Sequence, residues 1–515
     1  MISIGGVIGV GMFLGAGTTV STAGPAVVLA YALGGAVMFA VMLALGEMTV
    51  ERPAPGAFRV HAREALGPYF GFVTGWMYYF SWLGTMSAEI VAATTYLTRW
   101  IPPRLAPFFG LLLVIILMAV NLTKVESFGT FEFWFAMVKV VAIGAFILFG
   151  AAVILGYPGR PGLGTKYLTG AGGFFPTGLS GVVRTMAMVM VAYGGTEVIG
   201  VAAGETKDPA SSVPKAVRGV ALRTLILYVG AMTVLVAVVP WYETSLRESP
   251  FVLVYDMLGI RWAPDIMNLV VLTAALSSLN CGLYTSSRML YSLAQESPTL
   301  GALSRVSPRS QVPHLAVIAS SISVYAAIAL YWLAPAGAFL YVTSIASFGF
   351  LFVWLVICLS HVRWRYVVSD RSAFKAPLYP WLSLVSAGLL VGFIFTLTLV
   401  PEQRVGIYAG LIVLSALSAA YGLEILAKVP ALRRLIPRPL LKAIPAPATT
   451  TLAVTATTAP AATRAGASAV AAPATATAGT THTAASATTA AAAASFALLM
   501  ARYFGLVTEG TPGAS

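Results

Sequence analysis

Twelve stretches of this chain are apolar for long enough to cross a bilayer, and that leaves few folds open to it. A helix needs about 20 mainly apolar residues to span the hydrocarbon. Such runs are read at residues 3–20, 25–48, 68–99, 106–122, 130–155, 178–203, 217–240, 264–294, 314–333, 337–361, 379–400 and 405–427. The chain is 58% hydrophobic and only 10% charged, where soluble domains carry about 25% charged residues. Inside lipid every backbone N–H and C=O must find its partner within the protein. The runs therefore predict an all-α polytopic membrane protein with about twelve transmembrane helices. The third run is long enough to need tilt or a projecting end.

The net charge of +13 raises the question of a nucleic-acid partner, and the distribution of the charge answers it. Lys and Arg gather in alternate connections. With the N-terminus inside, one side collects twenty of them, from Arg52, Arg59, Arg63 and Lys124 through Lys207, Lys215, Arg288 and Arg365 to Lys442. The other side holds eight: Arg99, Arg104, Arg160, Lys166, Arg184, Arg247, Arg261 and Arg404. This is the positive-inside pattern. It predicts an inner or plasma membrane protein with both termini cytoplasmic, in contact with membrane lipid and with no nucleic acid.

Residues 1–430 are read as one transmembrane domain and 431–515 as a cytoplasmic Ala/Thr/Pro-rich tail, expected to be disordered. The apolar fragment 496–506 is too short to span. Cys281 and Cys358 lie in apolar runs and imply no disulfide framework. His61, His314, His361 and His482 show no metal-ligand spacing, so no metal is expected. No basic region precedes the first run, so no cleavable signal is expected. The chain starts inside its first helix, which points to a truncated start.

Two of the runs are interrupted by glycine. The first reads Gly5-Gly6-Val7-Ile8-Gly9-Val10-Gly11, and the sixth reads Tyr193-Gly194-Gly195-Thr196-Glu197. Glycine is a poor helix former. Taken alone, the Gly5/Gly9 spacing also fits close helix packing. Breaks at matching places in two five-helix halves, about 1–155 and 178–361 with extra helices at 379–427, point to a transporter binding site. Half-helix N-termini favour a carboxylate, and freed carbonyls favour an ammonium group. Together they describe a site for a zwitterion.

Three charges lie inside spans, where each costs about 2.5–3.5 kcal/mol at the bilayer centre: Glu89 in the third, Lys139 in the fifth and Glu197 after the second break. Structural pairing inside the bundle is one reading of each. Lys139 is the expected site of proton coupling, because an amine inside the bilayer can trade its proton near neutral pH. Glu89 and Glu197 are candidates for gating or coupling. Glu47 and Glu51 flank the end of the second run and are expected at the interface. In the eighth run Ser277, Asn280, Tyr284 and Ser287 share one helix face, either as interhelical glue or as the lining of a pathway, and Ser277 and Asn280 are further candidates for gating or coupling. Tyr193 is expected to cover the site.

These stretches resemble the amino acid transporter (permease) family of the amino acid–polyamine–organocation superfamily. The resemblance spans residues 1 to about 430. It rests on MISIGGVIGVGMFLGAG, ALGEMTVERPAPGAF, GWMYYFSWLGTMSAEI, FGTFEFWFAMVKV, YGGTEVIGVAAGETKDP and VVLTAALSSLNCGLYTSSRMLYSLA, in that order. The resemblance implies a five-plus-five inverted repeat like that of the leucine transporter, with discontinuous helices 1 and 6. It implies that Gly5, Gly6, Ile8, Gly9 and Gly11 bind a substrate carboxylate, and that Tyr193, Gly194, Gly195 and Thr196 bind its amino group. Lys139 takes the place of a sodium ion in sodium-driven relatives.

The expected function is a proton-coupled symporter for a neutral amino acid, working by alternating access, with no cofactor beyond the coupling proton. The alternatives are an amino acid or amine exchanger without net proton coupling, and a transporter-like membrane sensor. No catalytic cluster suggests an enzyme.

Overall fold

The computed structural model describes residues 2–123, 125–157, 160–244, 249–257, 262–333, 338–368 and 371–428. Lys124, Arg247, Arg261 and the expected tail at 431–515 lie outside the described residues. The chain divides into two units, Met1–Tyr421 and Gly422–Ser515. The described part of the second unit is residues 422–428, the end of the last helix.

Among the described residues, twelve helical segments stand where twelve spans are expected. The first is in pieces, Ile2–Val7, Val10–Phe13 and Gly15–Ala23. The second to fifth are Val27–Glu51, Pro68–Leu97, Ala106–Asn121 and Val125–Leu155. The sixth is split into Gly178–Ala192 and Val198–Ala203. The seventh to ninth are Pro209–Val238, Ala263–Ala294 and His314–Leu333. The tenth to twelfth are Ala338–Val367, Trp381–Thr396 and Arg404–Lys428. The chain is a multi-pass helical membrane protein.

Where the bounds differ from the apolar runs, local chemistry explains it. The seventh helix starts before its apolar run because Asp208 caps it, accepting from the Ser211 N–H at 3.4 Å, and Pro209 occupies the first turn. The tenth runs past its apolar end because Glu47 and Glu51 of the second span anchor Arg365 and Trp364. Glu47 does not face solvent. It is buried, and accepts from Arg365 Nε at 2.6 Å and from the Ala376 N–H at 2.6 Å, with His361 Nε2 at 3.1 Å. Helices Phe58–Leu66 and Pro250–Met257, in the connections after the second and seventh spans, have no signature as apolar runs.

The eighth span is central, with 78% of its most apolar stretch buried, and the fifth and twelfth are peripheral at 28%. On the fifth span Trp134, Val141 and Leu148 are exposed, as the lipid-facing side of a spanning helix requires. Charged pairs sort to the two ends of the bundle. Arg52–Glu64, Arg59–Glu296 and Arg288–Glu205 lie at one end, and Arg99–Asp265 lies at the other.

Candidate functional site

The first span loses its helix at Ile8 and Gly9. Gly9 is extended (φ −123°, ψ −159°), so the Val10 N–H no longer reaches back along the helix. It points to the Glu89 carboxylate of the third span, at 3.2 and 3.3 Å to the two oxygens. The break thus already holds a carboxylate at the N-terminus of a helical piece, where the partial positive charge of freed N–H groups favours one.

Three successive carbonyls on the other side of the break are each captured by a different helix. Lys139 Nζ of the fifth span donates to the Gly5 oxygen at 2.6 Å. Ser278 Oγ of the eighth donates to the Gly6 oxygen at 3.3 Å. Tyr228 Oη of the seventh reaches the Val7 oxygen at 2.9 Å. The same hydroxyl lies 3.0 Å from the Ala192 oxygen, the last residue of the sixth span's first piece. One phenol therefore bridges the two breaks.

In the sixth span Gly195 takes φ +98°, a region that favours glycine. Its N–H donates to Glu197 at 3.0 Å. The Glu197 carboxylate also accepts from Tyr78 Oη at 2.9 Å and Trp354 Nε1 at 3.2 Å. Each break therefore has a fully or nearly fully buried acid, Glu89 or Glu197, beside freed N–H groups. The two breaks touch. A Cβ on Gly195 would lie 2.7 Å from the Gly6 oxygen, and one on Gly11 would lie 3.2 Å from the Ala192 Cα.

Where they meet is a cavity of about 20 Å³, lined in part by Gly6, Gly9, Glu89, Gly194, Ser278 and Thr343. That is room for about one water, so admitting a larger ligand requires the helices to part.

The amino acid permease family model matches residues 1–432. The chain belongs to the amino acid permease family. It is 40% identical over 427 residues to the uncharacterized amino acid permease YtnA of Bacillus subtilis (strain 168), covering 82% of this chain and 92% of that one. It is 38% identical to the gamma-aminobutyric acid permease of the same organism, covering 81% and 91%. It is 36% identical to the aromatic amino acid transport protein AroP of Escherichia coli O6:H1, covering 79% and 90%.

In this permease nine of the candidate residues named from sequence lie at or around the cavity. Gly6, Gly9, Gly11, Glu89 and Gly194 line the cavity. Ile8, Tyr193, Thr196 and Glu197 are buried around it. Tyr193 turns toward the second span, donating to the Tyr31 oxygen at 2.8 Å and packing on Tyr228, so it braces the break rather than covering the cavity. Lys139 is fully buried and reaches the break through Gly5.

Ser277 and Asn280 converge on a residue that the sequence reading did not single out, Glu132 of the fifth span. Ser277 Oγ donates to one Glu132 oxygen, and Asn280 Nδ2 donates to the other at 3.0 Å. Glu132 is fully buried, and its carboxylate fills the space a Cβ on Gly5 would need. The available signal was its position seven residues before Lys139, which puts both on one helix face.

Proposed function

We propose that this permease is a proton-coupled symporter for a neutral amino acid of small or medium size. It works by alternating access in the inner or plasma membrane, with both termini cytoplasmic. The observation that carries this reading is the contact of the two breaks at Gly6 and Gly195. It brings together the two partial charges a zwitterion needs. N–H groups that attract a carboxylate, as Glu89 demonstrates at Val10, lie beside a row of freed carbonyls that accept from cationic and hydroxyl donors. A substrate carboxylate at the Gly5–Gly11 stretch would compete with Glu89, and the amino group would be received near Gly194 and Gly195.

Proton coupling is assigned to Lys139, whose bond to Gly5 ties its charge state to the first break. A neutral substrate is favoured because both acids nearest the cavity are engaged with backbone N–H groups. The rest of the cavity wall is made largely of Val, Ala and Gly. Relatives named for gamma-aminobutyric acid and for aromatic amino acids support an amino acid as the substrate.

The test is uptake by proteoliposomes under an imposed pH gradient, with a panel of the twenty amino acids competing against one labelled amino acid. Gradient-driven accumulation inhibited by neutral amino acids is expected. Counterflow without gradient-driven accumulation would instead identify an exchanger, and inhibition confined to charged amino acids would refute the neutral substrate.

A further inference from the structure

The buried acid Glu132 has no place in the reading above, yet its surroundings are built for it. Two neutral donors are aimed at its two oxygens, Ser277 Oγ–H and Asn280 Nδ2–H. The second is oriented by a third residue. Asn121 Nδ2 of the fourth span donates to Asn280 Oδ1 at 2.7 Å, which leaves the amide's donor side for Glu132. Donors alone suit an ionised carboxylate. A full charge in a membrane interior with only neutral donors is costly unless a counter-charge is near. Lys139 supplies it two turns away on the same face. Helical side chains lean toward the N-terminus, which carries the Lys139 chain back toward Glu132. Both groups meet the first span at one residue, Gly5. Lys139 bonds its carbonyl, and Glu132 lies against its Cα. Among the described residues, the other titratable groups facing this pair are Glu89 from the third span and Cys281 from the eighth.

We propose that Glu132 is a second coupling residue, and that it and Lys139 hold one proton between them across Gly5. In one form the ammonium of Lys139 faces the carboxylate of Glu132. In the other Lys139 is a neutral amine and Glu132 a carboxylic acid, and from this acid the proton is released to the inner side, the pair regaining one from the outer side in each cycle. The second form weakens the fifth span's hold on the first at Gly5 and on the eighth at Ser277 and Asn280. The neutral amine holds the Gly5 carbonyl less strongly, and the protonated acid gives up one of its two accepted hydrogen bonds. The state of the pair is thereby read out as the freedom of the first span's N-terminal piece to move.

This proposal rests on the symport reading, and its test separates the two. The full chain is reconstituted as wild type, E132Q and E132D. Counterflow and pH-gradient-driven accumulation of the labelled amino acid are measured side by side. E132Q should keep counterflow within about threefold of wild type and lose about tenfold or more of the accumulation, and E132D should recover part of it. Equal accumulation by wild type and E132Q overturns the proposal alone, as does a proportional fall in both activities, which a packing role would give. A wild type that exchanges without accumulating overturns the symport reading and this proposal together. E132D keeps the charge and covers failure of E132Q to fold. Its pH profile of uptake should be displaced from that of wild type, and an unchanged profile overturns the proposal.

Discussion

Gly195 of the sixth span rests directly on the peptide of Gly6 in the first, so closely that a Cβ would lie 2.7 Å from the Gly6 oxygen. The two breaks are thus one unit, and a side chain at Gly195 would separate them. It would also place an L-residue at φ +98°, a strain of about 1–3 kcal/mol. Gly195→Ala should lower the thermal midpoint of the purified protein and reduce uptake by about tenfold or more. Thermal unfolding and initial uptake rates check this, and wild-type values for both would show that the breaks do not work through this contact.

Gly9 gives the matching experiment on the first break. A Cβ there would lie 2.8 Å from Ser278 Oγ and would strike the Glu89 carboxylate. Gly9→Val should drive Glu89 off the Val10 N–H and fill the carboxylate end of the site. Equilibrium binding of the labelled amino acid should vanish while helicity measured by circular dichroism persists. Binding near the wild-type level would count against this placement of the substrate.

Glu197 receives three donors on its two oxygens, from Gly195, Tyr78 and Trp354. Glu197→Gln keeps the shape but turns one acceptor into a donor facing donors. A buried polar group left unpaired costs about 1–3 kcal/mol. Loss of both stability and transport rate is expected, because the residue holds the sixth break against the third and tenth spans. Transport at the wild-type rate would leave Glu197 without a role in the cycle.

Outside the spans, His61 of Phe58–Leu66 makes a pH prediction. It is fully buried, with Nε2 2.9 Å from the Arg52 oxygen. Burial lowers its pKa from 6.5 to about 4. The unfolded chain therefore takes up a proton between those values while the folded one does not. The stabilising effect is complete above pH 6.5 and is lost as pH falls toward 4, by as much as about 3 kcal/mol. Denaturation measured from pH 7.5 to 4.5 should show a decline that His61→Gln flattens. An equal decline in both proteins would assign it to other groups.

Much of this was legible because a membrane makes sequence patterns severe. Charges in apolar runs and glycines in helices are conspicuous there, so Lys139, Glu89, Glu197 and both breaks stood out. Glu132 did not, since it sits near the edge of its apolar run. Its partners Ser277, Asn280 and Gly5 are brought to it only by the register of three helices. Tyr228 was silent for the same reason: an ordinary tyrosine in sequence becomes the bridge between Val7 and Ala192 only when the seventh span packs on both breaks. Tyr193 showed the converse. Its place beside a break suggested a cover, and packing against the second span turned its ring the other way. The short helices Phe58–Leu66 and Pro250–Met257 lie in connections, where no apolar run announces them.

The most direct test of proton-coupled transport is accumulation of a labelled neutral amino acid against its gradient, driven by pH alone, in wild type and Lys139→Ala. Wild type should concentrate the amino acid, and the variant should only equilibrate it, because the amine proposed to carry the coupling proton, which bonds the Gly5 oxygen, is gone. Equal accumulation by both would contradict the coupling role of Lys139.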